Sequence, residues 1–165
     1  MIRRSLSAVA VLFLLALPAL AASPPWTAAG TTAVIDESSV PLYALTAPFI
    51  GFSAAPNVGV ITAYFNVTDT SATAFPTWDT LEISAFDNNL QSQVSATLFR
   101  LDKCNGSVTA ICTATSTDST AVICSRCTLN NSFDFTLYDY YITVSIYRSN
   151  SSLTPRLYGV RLYDI

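Results

Sequence analysis

Four cysteines are the residues whose type and spacing most readily suggest chemistry, and they stand at Cys104, Cys112, Cys124 and Cys127. The last two form a C-x-x-C, a spacing that occurs in dithiol redox sites, in zinc sites and in structural disulfides. Redox exchange normally places the first cysteine at the start of a helix, and the pattern after Cys124 predicts no helix. Zinc sites usually combine two short Cys/His pairs, whereas this chain has one such pair and no histidine. We therefore expect two structural disulfides.

Four cysteines allow three pairings, of which we consider two. A hairpin centred near Asp118 sets Cys112 opposite Cys124 and leaves Cys104 to pair with Cys127. In a flat meander the second bond would cross two strand spacings, about 9.5 Å, so this nested pairing needs a bend near Cys104. The alternative joins Cys104 to Cys112 and Cys124 to Cys127 as two local loops. We favour the nested pairing slightly.

Groups that commonly support catalysis are scarce in this chain. It has no histidine, which excludes Ser-His-Asp and Cys-His nucleophiles and HExxH metal sites. It has five glycines and no phosphate-binding loop motif. Asp79 and Glu82 remain as a carboxylate pair of the kind that glycoside hydrolysis uses. The simpler interpretation is that they are two solvated acids, and we expect no enzymatic activity and no cofactor.

Aromatic side chains on polar strands make carbohydrate binding an alternative to a purely structural role. Trp78 precedes Asp79 and offers an indole ring that could stack on a sugar ring. Tyr141 and Tyr147 lie on the polar face of a predicted strand and offer the same kind of contact. These three aromatic residues are the candidate sugar-binding residues, although Trp78 also fits a place in the core or at its rim.

Oxygen ligands for a structural calcium ion occur at two places in the sequence. Asp36 and Glu37 end one predicted strand, and Asp87 begins the run Asp-Asn-Asn after another. Carboxylate and amide oxygens in loops are the ligands that calcium prefers. Asp and Asn also form turns without any ion, so an Asx turn explains the same residues.

Residues 1–21 have the order of a secretory signal peptide. Arg3 and Arg4 precede an apolar run over residues 8–17, and an A-x-A pattern stands at the expected cleavage point. The run is shorter than the roughly 20 residues that span a bilayer as a helix. We therefore expect a mature chain of residues 22–165 that forms one domain and carries no membrane span. Its expected location is extracellular or at the cell surface, with the periplasm as the alternative.

The charge of the mature chain limits the partners that it can attract. Without the leader the chain has six cations and eleven acids, a formal charge of −5. No basic cluster is present, which argues against nucleic acid as a partner. Since Ser, Thr and Asn are plentiful, the surface must consist largely of uncharged polar side chains. The expected partner is an extracellular protein or a glycan.

Short segments rich in Val, Ile, Thr, Tyr and Phe alternate with turn-forming residues, and no segment keeps a 3.6-residue period. About ten such strands in one domain predict an all-β fold of two packed antiparallel sheets, a jelly-roll-like sandwich stabilised by disulfides. A closed barrel is the alternative. The predicted strands are Thr32–Asp36, Phe49–Ser53, Gly59–Val67, Thr80–Phe86, Gln93–Leu101, Ser107–Thr115, Thr120–Cys127, Asp134–Leu137, Tyr140–Tyr147 and Pro155–Tyr163.

The C-terminal segment DYYITVSIYRSNSSLTPRLYGVRLYDI is similar to the closing strands of exported bacterial β-sandwich proteins of unknown function. The likeness consists of a Tyr-Tyr-rich strand, a polar loop and a final strand of the type LYGVRLY. It implies a sandwich or jelly roll in an exported protein. It carries no catalytic residue to transfer.

These patterns favour a secreted, non-enzymatic β-sandwich with a structural or adhesive role. A carbohydrate-binding module is the alternative, and a glycosidase that uses carboxylates alone is a further one. The segment Ser23–Gly30 is expected to be an extended lead that is either mobile or paired with the sheet edge of a neighbouring copy. That pairing would give weak self-association.

Overall fold

The computed structural model describes residues 22–54, 56–70 and 74–165. The predicted signal peptide lies outside the described residues. Within the described ranges the chain forms eleven strands, joined by turns and two short 3₁₀ segments. The strands are β1 (Trp26–Ala29), β2 (Val34–Ile35), β3 (Tyr43–Thr46), β4 (Phe49–Phe52), β5 (Gly59–Val67), β6 (Thr80–Asp87), β7 (Ser92–Asp102), β8 (Val108–Thr115), β9 (Ser119–Thr128), β10 (Tyr138–Arg148) and β11 (Arg156–Tyr163).

The strands form two antiparallel sheets that face each other. The six-stranded sheet has the order β3-β4-β11-β6-β9, with β1 also pairing with β11. The five-stranded sheet has the order β2-β5-β10-β7-β8. Neighbours in both sheets are mostly far apart in sequence, as in a jelly roll rather than a meander. The predicted all-β two-sheet sandwich is therefore confirmed.

Strict alternation along the central strands builds the core between the sheets. On β10, Tyr140, Ile142, Val144 and Ile146 are fully buried, while the residues between them point outward. This is the period of two that a strand imposes on its side chains. The facing strands of the other sheet contribute further buried apolar residues, among them Leu81 and Ile83 on β6 and, on either side of an irregularity in β11, Leu157 and Leu162. Each sheet therefore presents one apolar face inward and one polar face outward.

The predicted strands agree with the observed ones over most of the chain, with one clear exception. Asp134–Leu137 is predicted as a strand but forms a turn. The Asp134 carboxylate accepts hydrogen bonds from the backbone N–H groups of Thr136 (2.9 Å) and Leu137 (3.3 Å). This Asx turn satisfies the backbone locally, so the segment does not pair with a strand.

Two short strands, β1 and β3, are not among the predicted ones. β1 lies within the segment expected to be an extended lead, and it pairs with β11 of its own sheet, with Trp26 opposite Leu162. Trp26 is buried in the core. The proposed pairing of this lead with a neighbouring copy is thus replaced by pairing within the chain.

The disulfide in the structure joins Cys112 to Cys127, and Cys104 and Cys124 are free and exposed. Both predicted pairings are therefore wrong. The reason is that β8 and β9 belong to different sheets, so no hairpin sets Cys112 opposite Cys124. Cys112 pairs in register with inward-facing Leu98, and Cys127 with inward-facing Leu81 of β6. The two sulfurs therefore meet between the edges of the two sheets.

A buried carboxylate joins the two sheets at the end of β6. Asp87 is 1% exposed, and its two oxygens accept hydrogen bonds from the hydroxyls of Ser92 and Ser116, each at 2.6 Å. The Ser116 hydroxyl oxygen also accepts the backbone N–H of Val94 at 2.9 Å. Such groups are costly to leave unpaired in a protein interior.

We expect Ser116→Ala to lower the free energy of unfolding by about 1–3 kcal/mol, because it leaves Oδ2 of Asp87 and the Val94 N–H each without a partner, while Oδ1 keeps the Ser92 hydroxyl. Urea unfolding followed by fluorescence measures this change. Exposed Thr117 provides the matched control, and Thr117→Ala should stay within about 0.5 kcal/mol of the original protein. Equal stability of the two variants would contradict the network.

Candidate functional site

The outer face of the five-stranded sheet carries an aromatic group at one end. Tyr141 of β10 stands opposite Phe99 of β7, and the two rings stack with centroids 5.2 Å apart and planes 14° apart. Tyr64 of β5 is one row further along, opposite Thr143. Its hydroxyl donates to Asp36 at 3.4 Å. Burial, and then the charge of Asp36, raise the pKa of Tyr64, so its hydroxyl stays protonated.

Hydroxyl groups follow the aromatic group along the same face. Thr143 lies opposite Thr97, and Thr97 lies opposite Thr113, with the last two hydroxyl oxygens 2.8 Å apart. In the next row Ser145 lies opposite Thr62 and Ser95. We call this surface the tyrosine–threonine face. It consists of Tyr64, Phe99, Tyr141, Tyr147, Thr62, Thr97, Thr113, Thr143, Ser95 and Ser145.

Tyr147 marks the other end of the tyrosine–threonine face. It is 39% exposed and lies six residues along β10 from Tyr141, which is roughly 20 Å in an extended strand. The three strand segments between these ends, 60–66, 93–99 and 141–147, contain no Asp, Glu, Lys or Arg. The face is therefore a hydroxyl-rich strip with no charged residue on its three strand segments and an aromatic side chain at each end, and the Asp36 carboxylate touches it at Tyr64.

Trp78 does not belong to this surface. It is 1% exposed and packs edge-on against Phe133, with ring centroids 5.1 Å apart. Its indole N–H donates to the carbonyl oxygen of Pro24 at 2.9 Å. The ring is thus packed in the core and its N–H is already hydrogen-bonded, so Trp78 has no exposed ring face on which a sugar could stack. Tyr141 and Tyr147 remain as candidate residues, on one surface.

The outer face of the six-stranded sheet has a different chemistry, centred on Glu82. The Glu82 carboxylate is nearly buried, with Arg126 Nε 2.5 Å from Oε2 and Arg161 Nε 2.7 Å from Oε1. The Tyr163 hydroxyl donates to Oε2 at 2.9 Å, and the Arg161 guanidinium lies 4.2 Å from the centre of the Tyr163 ring. These four residues are called the Glu82 cluster. They come from three neighbouring strands, β9, β6 and β11.

The Glu82 cluster makes this carboxylate unsuited to the general-acid role in the glycosidase alternative. Burial by itself raises the pKa of Glu82, but hydrogen bonds from Arg161, Arg126 and Tyr163 outweigh it and lower the pKa from 4.5 to about 2. A general acid needs a raised pKa so that it holds a proton near neutral pH. Its predicted partner Asp79 accepts from the Thr80 hydroxyl at 2.7 Å and the Ile165 N–H at 3.2 Å. Both carboxylates therefore make contacts that hold the fold together.

The three candidate calcium ligands do not form a metal site in the described part of the chain. Asp36 begins a short 3₁₀ segment, where its carboxylate accepts the backbone N–H and the hydroxyl of Ser38. These hydrogen bonds lower the pKa of Asp36. Asp87 is occupied by its two serine partners, and Glu37 is exposed. Among the described residues, no group of three or more His, Cys, Asp and Glu side chains is placed to hold a metal ion.

Several residues of these two faces carry no individual signal in the sequence. Tyr64 and Phe99 stand on predicted strands in the outward phase, as alternation alone indicates. Their nearness to Tyr141 depends on β5 and β7 being the neighbours of β10, which alternation does not reveal. Arg126 and Arg161 likewise become partners of Glu82 only through the register of β9 and β11 against β6.

Comparison with known proteins gives likenesses of structure only. No protein-family model and no curated protein sequence matches the chain. A xylan-binding module of family 15 superposes with a TM-score of 0.49 at 14% identity, covering 86% of this chain and 96% of the module. A carbohydrate-binding module of family 6 gives 0.49 at 11% identity, covering 84% and 92%. A mannan-recognising module of family 27 gives 0.42 at 10% identity, covering 86% and 88%.

These three structures correct the function that the sequence favoured. All three are carbohydrate-binding modules, a finding that contradicts the predicted structural or adhesive role and agrees better with its stated alternative. The likenesses are distant, at 10–14% identity, and they show the fold alone. No described helix is long and apolar enough to cross a membrane.

Proposed function

We propose that this chain is a secreted, non-catalytic carbohydrate-binding module that holds a neutral polysaccharide on the tyrosine–threonine face. The observation that carries the proposal is a strip without charged residues that runs along β10 from Tyr141 to Tyr147. The strip includes the outer faces of the neighbouring strands β5 and β7. A neutral glycan offers hydroxyl groups and weakly polar C–H faces, and it has no charge for a protein to neutralise. Hydroxyl side chains and aromatic rings match those two features, whereas ionic groups would have to be desolvated.

The geometry of the strip favours an extended ligand over a single sugar. The two aromatic ends lie roughly 20 Å apart, which is longer than one sugar ring. The strip is also an open sheet surface, so a chain can lie along it and continue past both ends. Rigid strands at the centre of the sheet hold the hydroxyls of Thr97 and Thr143 in place before binding, which limits the entropy lost on association.

The binding test is a titration of the mature protein with soluble xylan, mannan and β-glucan as three neutral probes. We expect binding to at least one of them. Tyr141→Ala should weaken that binding at least tenfold, because it removes one ring and the stacking partner of Phe99. Isothermal titration calorimetry measures the affinity, and thermal melting checks that each variant is folded.

The matched control is Phe75→Ala, which removes an aromatic side chain that is 53% exposed and lies before β6, outside both outer faces. Its affinity should equal that of the original protein. Absence of binding to all three probes would contradict the proposal. A Tyr141→Ala variant that is folded and binds unchanged would remove the tyrosine–threonine face as the site.

A further inference from the structure

A groove of about 400 Å³ lies on the outer face of the six-stranded sheet, beside the Glu82 cluster. Its floor consists of the small residues Ser84, Gly159 and Cys124, which stand opposite one another on β6, β11 and β9. Tyr158 lines one part of the groove, and Arg161 with Glu82 lines another. A volume of this size accommodates a small ligand or one part of a larger one. We call it the arginine groove.

The positive charge of the chain is concentrated on this face. Arg126, Arg156 and Arg161 all lie on its outer side, so that half of the six cations of the mature chain share one surface. Glu82 is the one carboxylate on the outward positions of β6, β9 and β11. Within a chain of formal charge −5, this face therefore has a local excess of positive charge.

The two arginines beside Glu82 are held in place by that carboxylate and remain accessible to other ligands. Each is anchored through its Nε atom, at 2.5 Å for Arg126 and 2.7 Å for Arg161. These ion pairs are made by the Nε atoms, and the Arg161 guanidinium also interacts with the Tyr163 side chain. The side chains are 52% and 44% exposed, so solvent and ligands reach them. A guanidinium held in this way is preorganised to bind an oxyanion through its planar fork.

We propose that the arginine groove binds the oxyanion group of an acidic saccharide, a carboxylate or a sulfate, with Arg161 contacting the anion and Tyr158 packing on the sugar ring. The small floor residues leave room for the ring between these two side chains. The Tyr158 ring is itself supported by Phe49, with centroids 5.5 Å apart. This site lies on the opposite sheet from the tyrosine–threonine face and does not depend on the function proposed there.

The test is a titration of the mature protein with three oligosaccharides of equal length: a galacturonic acid oligomer, a sulfated oligomer and a neutral oligomer. We expect at least one acidic oligomer to bind, with an affinity that falls at least tenfold between 50 and 500 mM salt because the contact is ionic. The two acidic probes distinguish a carboxylate from a sulfate. No binding of either acidic probe overturns the proposal.

Ser84→Trp provides the decisive variant, because it fills the groove and leaves the Glu82 cluster intact. We expect it to weaken binding of the acidic oligomer at least tenfold. Val108→Trp, at a position that is 51% exposed on β8, is the control for added bulk and should bind as the original protein does. Equal acidic binding by Ser84→Trp and the original protein overturns the proposal.

Arg161→Gln is the second variant, and it should also weaken binding of the acidic oligomer at least tenfold. Circular dichroism checks that the variant is folded. If this variant does not fold, Ser84→Trp still decides the result. Neutral oligomer binding is followed in the same samples. Loss of acidic binding with retained neutral binding, or the reverse, shows which of the two proposed sites is affected.

Discussion

Replacing Cys112 and Cys127 together by alanine is expected to lower the free energy of unfolding by about 3 kcal/mol. The disulfide closes a loop with a sequence separation of 15, and a crosslink of that length restricts the unfolded chain by about this amount. It also joins the edge strand of one sheet, β8, to the edge strand of the other, β9. For a domain of this size the melting temperature should fall by roughly 10 °C.

The control for the disulfide is the double variant of the two free cysteines, Cys104→Ser and Cys124→Ser. Both side chains are exposed, so this variant should stay within about 0.5 kcal/mol of the original protein. Urea unfolding measures both variants, and maleimide labelling of the native protein should modify two thiols per chain. A control variant as unstable as the Cys112 and Cys127 double variant would contradict the pairing in the structure.

Glu82→Gln is expected to destabilise the protein near neutral pH by on the order of 2 kcal/mol, a figure that allows for solvent screening at the two half-exposed arginines. The pKa of Glu82 is lowered from 4.5 to about 2, so folding favours the charged form. Its contribution to stability is therefore fully present above pH 4.5 and is lost as the pH falls towards 2. The glutamine variant lacks this contribution at every pH.

The measurement is the difference in urea unfolding free energy between the original protein and Glu82→Gln at pH 7, 4.5, 3 and 2. We expect the difference to be largest at pH 7 and to shrink steadily below pH 4.5. Glu37→Gln is the matched control, because Glu37 is exposed and lies in the 3₁₀ segment after β2. A difference for Glu82→Gln that stays constant from pH 7 to pH 2 would contradict the Glu82 cluster.

Local alternation is sufficient to predict most strands and which way their side chains point. The prediction for β5 matches the observed bounds, and Tyr140–Tyr147 lies within β10, with Tyr141 and Tyr147 on the outer face as expected. The short strands β1 and β3 have four residues each, which is too few for a periodic pattern to stand out. The location of Trp78 in the core follows from its aromatic neighbours, which come from a segment more than fifty residues later.

The order of strands in the sheets could not be predicted from alternation, and it decides both the disulfide and the candidate sites. Cys124 and Cys127 are three residues apart on one strand, so they point to opposite faces and cannot meet there. The disulfide partner of Cys127 is decided by the topology, because the chain crosses from one sheet to the other between β8 and β9. The Glu82 cluster and the tyrosine–threonine face depend in the same way on pairings between distant strands.

The most direct test of the central claim is mapping of backbone amide chemical shifts on the mature protein with the neutral oligosaccharide that it binds. The account predicts that the largest changes fall on 93–99 and 141–147, with smaller ones on 60–66, and that they fade in Tyr141→Ala. Changes centred on β6, β9 and β11 instead, or no change with any neutral oligosaccharide, would contradict a carbohydrate site on the tyrosine–threonine face.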